Sequence, residues 1–417
     1  VTAVASIERL TPAPHFDSAE ALSGAMTRPV RPSRVEIAPG RGPGRTSEEW
    51  QADTVFVAWR DLRFAKGRFA LMGTVVVLMT LLVGLLSGLT AGLARDSTSA
   101  ITGLPADRLA FAAPVEGRSP SFTDSVVDAA QWREWARVPG VTAAEPLGVT
   151  TTRATSGEGD TAAVSAFGVR SGSPLAPESG KLATGQVVLS IGAAEDLRVE
   201  PGDTLTLADV RLTVAAVSGD AAYSHTPVVW TSLDDWQRLV PGGGAGDVEH
   251  ATVIALSTSD DEGVDVAAAD AGLRTKTVDL ADALPAIGSF TSENGSLELM
   301  RGFLFAISAL VIGAFFTVWT VQRSGDIAVL KALGATTAYL MRDALGQALV
   351  LLTGGTAIGA GLAAAVGAAA ADAVPFVLDT STVLVPALVT IALGAAGAAL
   401  AVRRITAVDP LSALSTR

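Results

Sequence analysis

Four long uncharged apolar runs constrain this chain more than any other feature. Residues 69–93 (25 residues), 302–321 (20), 344–371 (28) and 380–402 (23) contain no Asp, Glu, Lys or Arg. About 20 such residues in a helix cross a hydrocarbon core of roughly 30 Å. One run of this kind would suit a buried core helix, but four together predict four transmembrane helices. The third is longer than a crossing needs, which predicts tilt or projection past the bilayer. Composition agrees, because only 17% of the residues are charged against about 25% in an ordinary soluble domain.

Basic flanks set the expected orientation, since Lys and Arg accumulate in cytoplasmic loops. Arg60, Arg63, Lys66 and Arg68 precede the first run. Arg323, Lys331 and Arg342 lie between the second and third, and Arg403 and Arg404 follow the fourth. The loop 372–379 has neither Lys nor Arg. This predicts a multi-pass protein of the plasma (inner) membrane with both termini cytoplasmic. Residues 95–301 are then outside, and they hold 14 Lys+Arg against 29 Asp+Glu, a net of −15 within a chain total of −12. The acidity therefore belongs to one external domain of about 200 residues, a size for one domain or two lobes.

The expected order is a cytoplasmic lead-in at 55–68 and transmembrane helices at 69–94, 302–322, 339–371 and 380–402. The external domain spans 95–301, a cytoplasmic segment 323–338, an external loop 372–379 and a cytoplasmic tail 403–417. Residues 1–54 are rich in Pro, Arg, Ser and Gly without apolar periodicity. They read as a disordered tail or as a misassigned start, with Val55 as the initiator. The first run reads as a signal anchor rather than a cleaved leader.

Strand and helix patterns alternate through the external segment, which predicts an α+β domain of two lobes. Strands are expected at 107–114, 162–169, 186–190, 204–207, 211–217, 228–231, 251–256 and 275–278. Helices are expected at 124–137, 193–197, 232–239, 264–271 and 280–290.

Several chemistries are excluded. There is no cysteine, so no disulfide, thiolate metal site or cysteine nucleophile. His15, His225 and His250 are too scattered for a histidine-built metal centre. A pI near 4.8 argues against nucleic acid as a partner. No G-x-x-x-x-G-K-[ST] phosphate loop occurs, so ATP is expected to be used only through a partner. G-x-S-x-G and H-E-x-x-H are absent too, and the chain reads as a non-enzyme that binds no cofactor itself.

The most informative polar stretch runs from Arg323 to Ala335. Helical spacing puts Ile327, Leu330 and Leu333/Gly334 on one face with Asp326 and Lys331 beside it. Such a helix lies at a membrane surface or docks in a partner's groove. The stretch resembles the basic–x–x–acidic–I–x–x–L–[RK]–A–L–G–A signature of FtsX/MacB-type ABC transporter permeases, with Asp326 and Lys331 where that pattern usually has Glu and Arg. Tyr339 to Gly355 resembles that family's third span, and Arg403 to Leu414 its tail. The resemblance implies that Asp326, Ile327, Leu330, Lys331, Leu333 and Gly334 contact a separate ABC ATPase. It further implies that span two transmits ATP-driven motion to the external domain, and that the chain forms a homodimer.

Around the first span, Trp59 to Phe64, Leu86 to Ala94, Ser99 to Ile101 and Pro105 to Asp107 are similar to the hemin-exporting permeases and their DevC relatives. This implies export of hemin or a similar amphipathic compound. Haem iron takes His, Met or Tyr from proteins, and ferric iron also accepts a carboxylate. Groups of these kinds near the outer leaflet or in the external domain make Glu298, Met300, Glu293, Met79, Tyr223 and His225 the candidate contacts, with Glu298 and Met300, at the outer start of the second span, first. Gly84, Gly88 and Gly92 repeat every four residues, as at a close seam between spans or between two copies. The alternatives are a lipid, lipoprotein or drug exporter, or a signalling permease that regulates a cell-wall hydrolase.

Overall fold

A computed structural model describes residues 66–240, 248–259, 263–370 and 374–406. Residues 1–65 and 407–417 lie outside the described residues, and with them the expected start, the tail over 1–54 and most of the lead-in and of the C-terminal tail; residues 66–68 of that lead-in and 403–406 of that tail are helical. The chain divides into two units, Val1–Ala52 and Asp53–Arg417, and the described residues belong to the second.

The chain begins with helix α1 (Lys66–Thr102), then β1 (Arg108–Ala112), β2 (Val127–Asp128), α2 (Ala129–Trp135), β3 (Val141–Ser156) and β4 (Thr161–Val169). Next come β5 (Gln186–Leu189), α3 (Ile191–Leu197), β6 (Thr204–Leu207), β7 (Val210–Val217), β8 (Ala222–Tyr223), β9 (Thr226–Ser232) and α4 (Leu233–Leu239). The domain ends with β10 (His250–Ala251), β11 (Val253–Thr258), α5 (Val266–Leu273) and β12 (Thr275–Asp279). Four helices follow: α6 (Phe290–Gln322), α7 (Ser324–Ala332), α8 (Thr337–Ala370) and α9 (Thr380–Thr406).

Helices α1, α6, α8 and α9 are long and apolar enough to cross a membrane, and the α+β domain is inserted between the first and second. At 1.5 Å per residue the 37 residues of α1 reach about 55 Å, well beyond one hydrocarbon core. Its C-terminal end is embedded in the domain, where Ala100, Ile101 and Leu104 are buried with Phe111, Phe122, Leu147 and Phe167.

The four-helix bundle packs through small residues. A Cβ on Gly359 of α8 would lie 2.6 Å from the Val77 carbonyl and 2.7 Å from the Thr80 Cβ of α1. Only glycine allows that backbone approach. Near the far end from the domain the core is larger, with Met72, Ile312, Phe316, Trp319 and Leu352. The glycine stripe of α1 is used inside the chain. Gly84 faces Ala363, Gly88 faces the Phe376 ring, and Gly92 faces the Pro375 carbonyl. The Val377 N–H also donates to the Gly88 carbonyl at 3.2 Å. The α8–α9 connection thus wedges into the notch the glycines leave, and this face is not open to a second copy.

In the domain, ten strands form one sheet rather than separate lobes. β3 is the hinge of the arrangement. Its first half pairs with β11, its second half with β4, and its last three residues with β6. The β3–β6 pairing closes the circuit β3–β4–β9–β5–β7–β6 into a small barrel. Val164, Leu189, Leu205, Leu212 and Val229 are among the residues of its core. β1, β11 and β12 extend the sheet from the other side of β3.

Two local expectations change. The helix expected from 124 starts only at Ala129, because Asp128 caps it: its carboxylate accepts the Gln131 N–H while the Gln131 side chain accepts the Asp128 N–H. The helix expected at 280–290 is a 3₁₀ turn, Ala281–Ala286, containing Pro285, and α6 begins a few residues later.

Candidate functional site

Where α1 and α6 leave the bundle and meet the domain, they enclose an open cavity of about 540 Å³. Leu93, Ala94, Phe290 and Leu297 give it apolar walls, and Ser97, His225, Glu293 and Asn294 supply polar groups. Its size is within the ordinary range for small-molecule sites.

The polar corner is built by a tight hairpin. β8 and β9 pair through Tyr223 and Thr226, so Ser224 and His225 form a two-residue loop. Both have positive φ, 49° and 62°, the twist that such loops require. Non-glycine residues hold that conformation at a cost, and here the surroundings fix it. The Ser224 N–H donates to the Ser97 carbonyl at 3.0 Å. The Ser99 hydroxyl accepts the Ala222 N–H at 2.9 Å and donates to the Ala222 carbonyl at 3.3 Å. Arg95 pairs with Asp220 at 2.6 Å. Span α1 is therefore fastened to the hairpin by its own last turns.

His225 then reaches both helices. Its Nδ1 is 3.3 Å from Asp96 of α1, and its Nε2 is 2.8 Å from Glu293 of α6. Partial burial pulls the imidazole pKa down, but hydrogen bonds and charge from Glu293 and then Asp96 outweigh it and hold the pKa above its ordinary value. As imidazolium it donates to both carboxylates, clasping the domain, α1 and α6 at one point.

Glu293 and His225 are brought together at the cavity; the other candidates are not. Glu298 is occupied by Arg301 of its own helix at 2.6 Å and does not line the cavity, nor does the half-exposed Met300. Met79 lies 14 residues before Leu93, about 20 Å away along α1. Tyr223 is buried between Phe122 and Phe167, each ring centroid 5.6 Å away, and burial pushes its phenol pKa up. It belongs to the domain core. Among the described residues no group of three or more His, Asp or Glu could hold a metal ion.

Sequence reasoning missed Asp96 and Ser97, because Arg95 and Asp96 end the apolar run, and the end of that run reads as the end of the helix. The stop signals, Gly103 and Pro105, come later and mark the true extension.

At the opposite end of the bundle, α7 follows α6 after Arg323 alone. Leu330 and Leu333 are exposed, 41% and 79%. The side chains of Asp326 and Ile327 lie outside the described residues. Gly334, with φ +94°, ends the helix. Its N–H bonds to the Lys331 carbonyl and that of Ala335 to the Leu330 carbonyl, a Schellman stop that explains the glycine of the signature.

Residues 71–276 match the family model of the MacB-like periplasmic core domain, and residues 299–410 that of the FtsX-like permease C-terminal region. A hemin transport system permease, HrtB of Staphylococcus haemolyticus, is 24% identical over 86% of this chain and 98% of its own length. An uncharacterized ABC transporter permease of Mycobacterium tuberculosis is 25% identical over 86% and 99%. Among solved structures, the periplasmic region of MacB from Actinobacillus actinomycetemcomitans aligns over 44% of this chain and 92% of its own, at 12% identity and a TM-score of 0.32.

Proposed function

Because the chain belongs to the FtsX/MacB-type ABC transporter permeases, we propose that it couples ATP hydrolysis by a separate subunit to export of hemin or a similar amphipathic compound. The observation that carries this reading is the junction cavity, which joins apolar walls from two spans to a histidine–carboxylate pair. The walls suit a flat apolar macrocycle. His225 or Glu293, on exchanging its partner, would supply a ligand to the iron of the cargo. The exposed apolar residues of α7 would dock in the ATPase, with both termini cytoplasmic, the domain outside and two copies making one transporter.

Hemin titration of the purified permease in nanodiscs, followed by the Soret band, tests the cargo. Saturable binding lost in His225→Ala or Glu293→Ala and kept in Glu298→Ala supports the site. Saturable binding indifferent to the first two changes keeps the cargo and discards this cavity. Partitioning equal to that of empty discs removes hemin.

A further inference from the structure

The residue between α6 and α7 makes contacts that neither the cargo nor the docking of α7 requires. Arg323 closes α6 and opens α7. Its guanidinium lies 5.2 Å from the centroid of the Trp319 ring, a side chain buried in the bundle core. Its Nη1 also donates to Gln347 Oε1 of α8 at 2.7 Å. Gln347 is only 4% exposed, and its Nε2 donates to Asp343 Oδ2 at 3.1 Å. A neutral amide thus links a cation on one span to a carboxylate on another. Arginine suits this place because its planar fork can lie against an aromatic face while its edge donates hydrogen bonds, a geometry that the compact ammonium of lysine reproduces only in part.

We propose that Arg323 is a positioning residue that locks the α6–α7 corner to α8, so that force on α7 enters α8 together with α6. This rests on the reading of α7 as the coupling helix. The route onward is structural: α8 packs along α1 through Gly355 and Gly359, and the end of α1 is built into the domain core. Motion of α7 would then reach the domain through both α1 and α6, on either side of the cavity.

The test uses the full-length permease with its ATPase in nanodiscs. The chain has no cysteine, so Val329→Cys on α7 and Val350→Cys on α8, both exposed, are its only labelling sites for a spin-label pair. Diluting the labelled chain with unlabelled copies and using a cysteine-free ATPase makes the distance read an intrachain one. In wild type the distance between labels should stay constant between the nucleotide-free and ATP–vanadate-trapped states. Arg323→Gln and Gln347→Leu should each let it change on trapping and lower permease-stimulated ATP hydrolysis at least tenfold, with the complex intact. The double variant should be no worse than either single one, and Arg323→Lys should recover only part of the loss. Constant distances with wild-type stimulation in the single variants, or additive losses in the double, would overturn the proposal. Loss of the complex in Arg323→Gln would overturn it as well, since the residue would then serve docking. Leu330→Asp with Lys331→Glu separates the two readings: survival of the complex there refutes the coupling helix itself, whatever Arg323 does.

Discussion

The domain and the bundle are built from much the same apolar residues, arranged in opposite senses. In the domain the largest side chains are inside: Phe111, Trp132, Trp135 and Phe167 are almost wholly buried. In the bundle many large residues face outward, among them Leu78, Leu82, Leu310 and Leu400, while Gly355, Gly359 and Ala363 line contacts between helices. The difference reflects solvent. Water drives large apolar groups together, whereas lipid does not, and helices in lipid associate by close backbone packing. The same substitution should therefore act differently in the two halves.

The largest effect is expected from Phe167→Ala, which empties a site shared with Tyr223 and Trp230. Such truncations cost about 3–5 kcal/mol, and hydrogen exchange of the β4 amides should report it while the spans stay protected. Gly359→Leu comes next, because the new side chain meets the backbone of α1. Overpacking of this kind costs about 1–3 kcal/mol, to be read as a lower melting temperature in nanodiscs. Gly361→Leu is the matched control, since a Cβ there meets nothing within 4 Å. If both leucines were tolerated equally, small-residue packing would not be what holds the bundle.

The clasp at the boundary between the halves should depend on pH. The imidazole of His225 has its pKa raised in the fold. Its contribution is therefore complete below the ordinary value of about 6.5 and fades as pH rises through the raised one. Exchange protection at Ser224 and Thr226 should fall over that upper window, and His225→Ala should flatten the profile. The smallest effect belongs to Leu310→Ala on the outward face of α6, 73% exposed. Changes at such positions usually stay within about 0.5 kcal/mol; a larger loss would mean that this face has a protein neighbour.

The spans were legible because a charge-free run long enough to cross a bilayer has few other readings. The domain was legible strand by strand where alternation was clean, as in β7, whose buried residues recur at every second position. β3 carries no clean strand signal although it is 16 residues long. Pro146 and Gly148 near its start and a threonine-rich middle hide a strand whose burial is dictated by its neighbours. Gly148 is there because Trp236 lies across it, leaving no room for a Cβ. The site was half legible. His225 and Glu293 were visible as candidates, yet their meeting joins positions 68 residues apart. Glu298 looked better by nearness to the span, but five residues on it stands about 140° round the helix from Glu293.

The register of β1 has a consequence for how the protein is made. Leu109 stands opposite Val278, and Phe111 opposite Lys276, so β1 has no neighbour on that side until about 170 further residues have been synthesised. At roughly 5–20 residues per second the ribosome needs about 10–30 s to supply it. β11, its other neighbour, arrives scarcely sooner. Until β11 is made, an apolar strand with two open edges waits at the end of a helix already suited to the bilayer. Biogenesis thus favours a cell in which this segment is shielded during elongation, and any pause between codons 112 and 253 would lengthen its exposure.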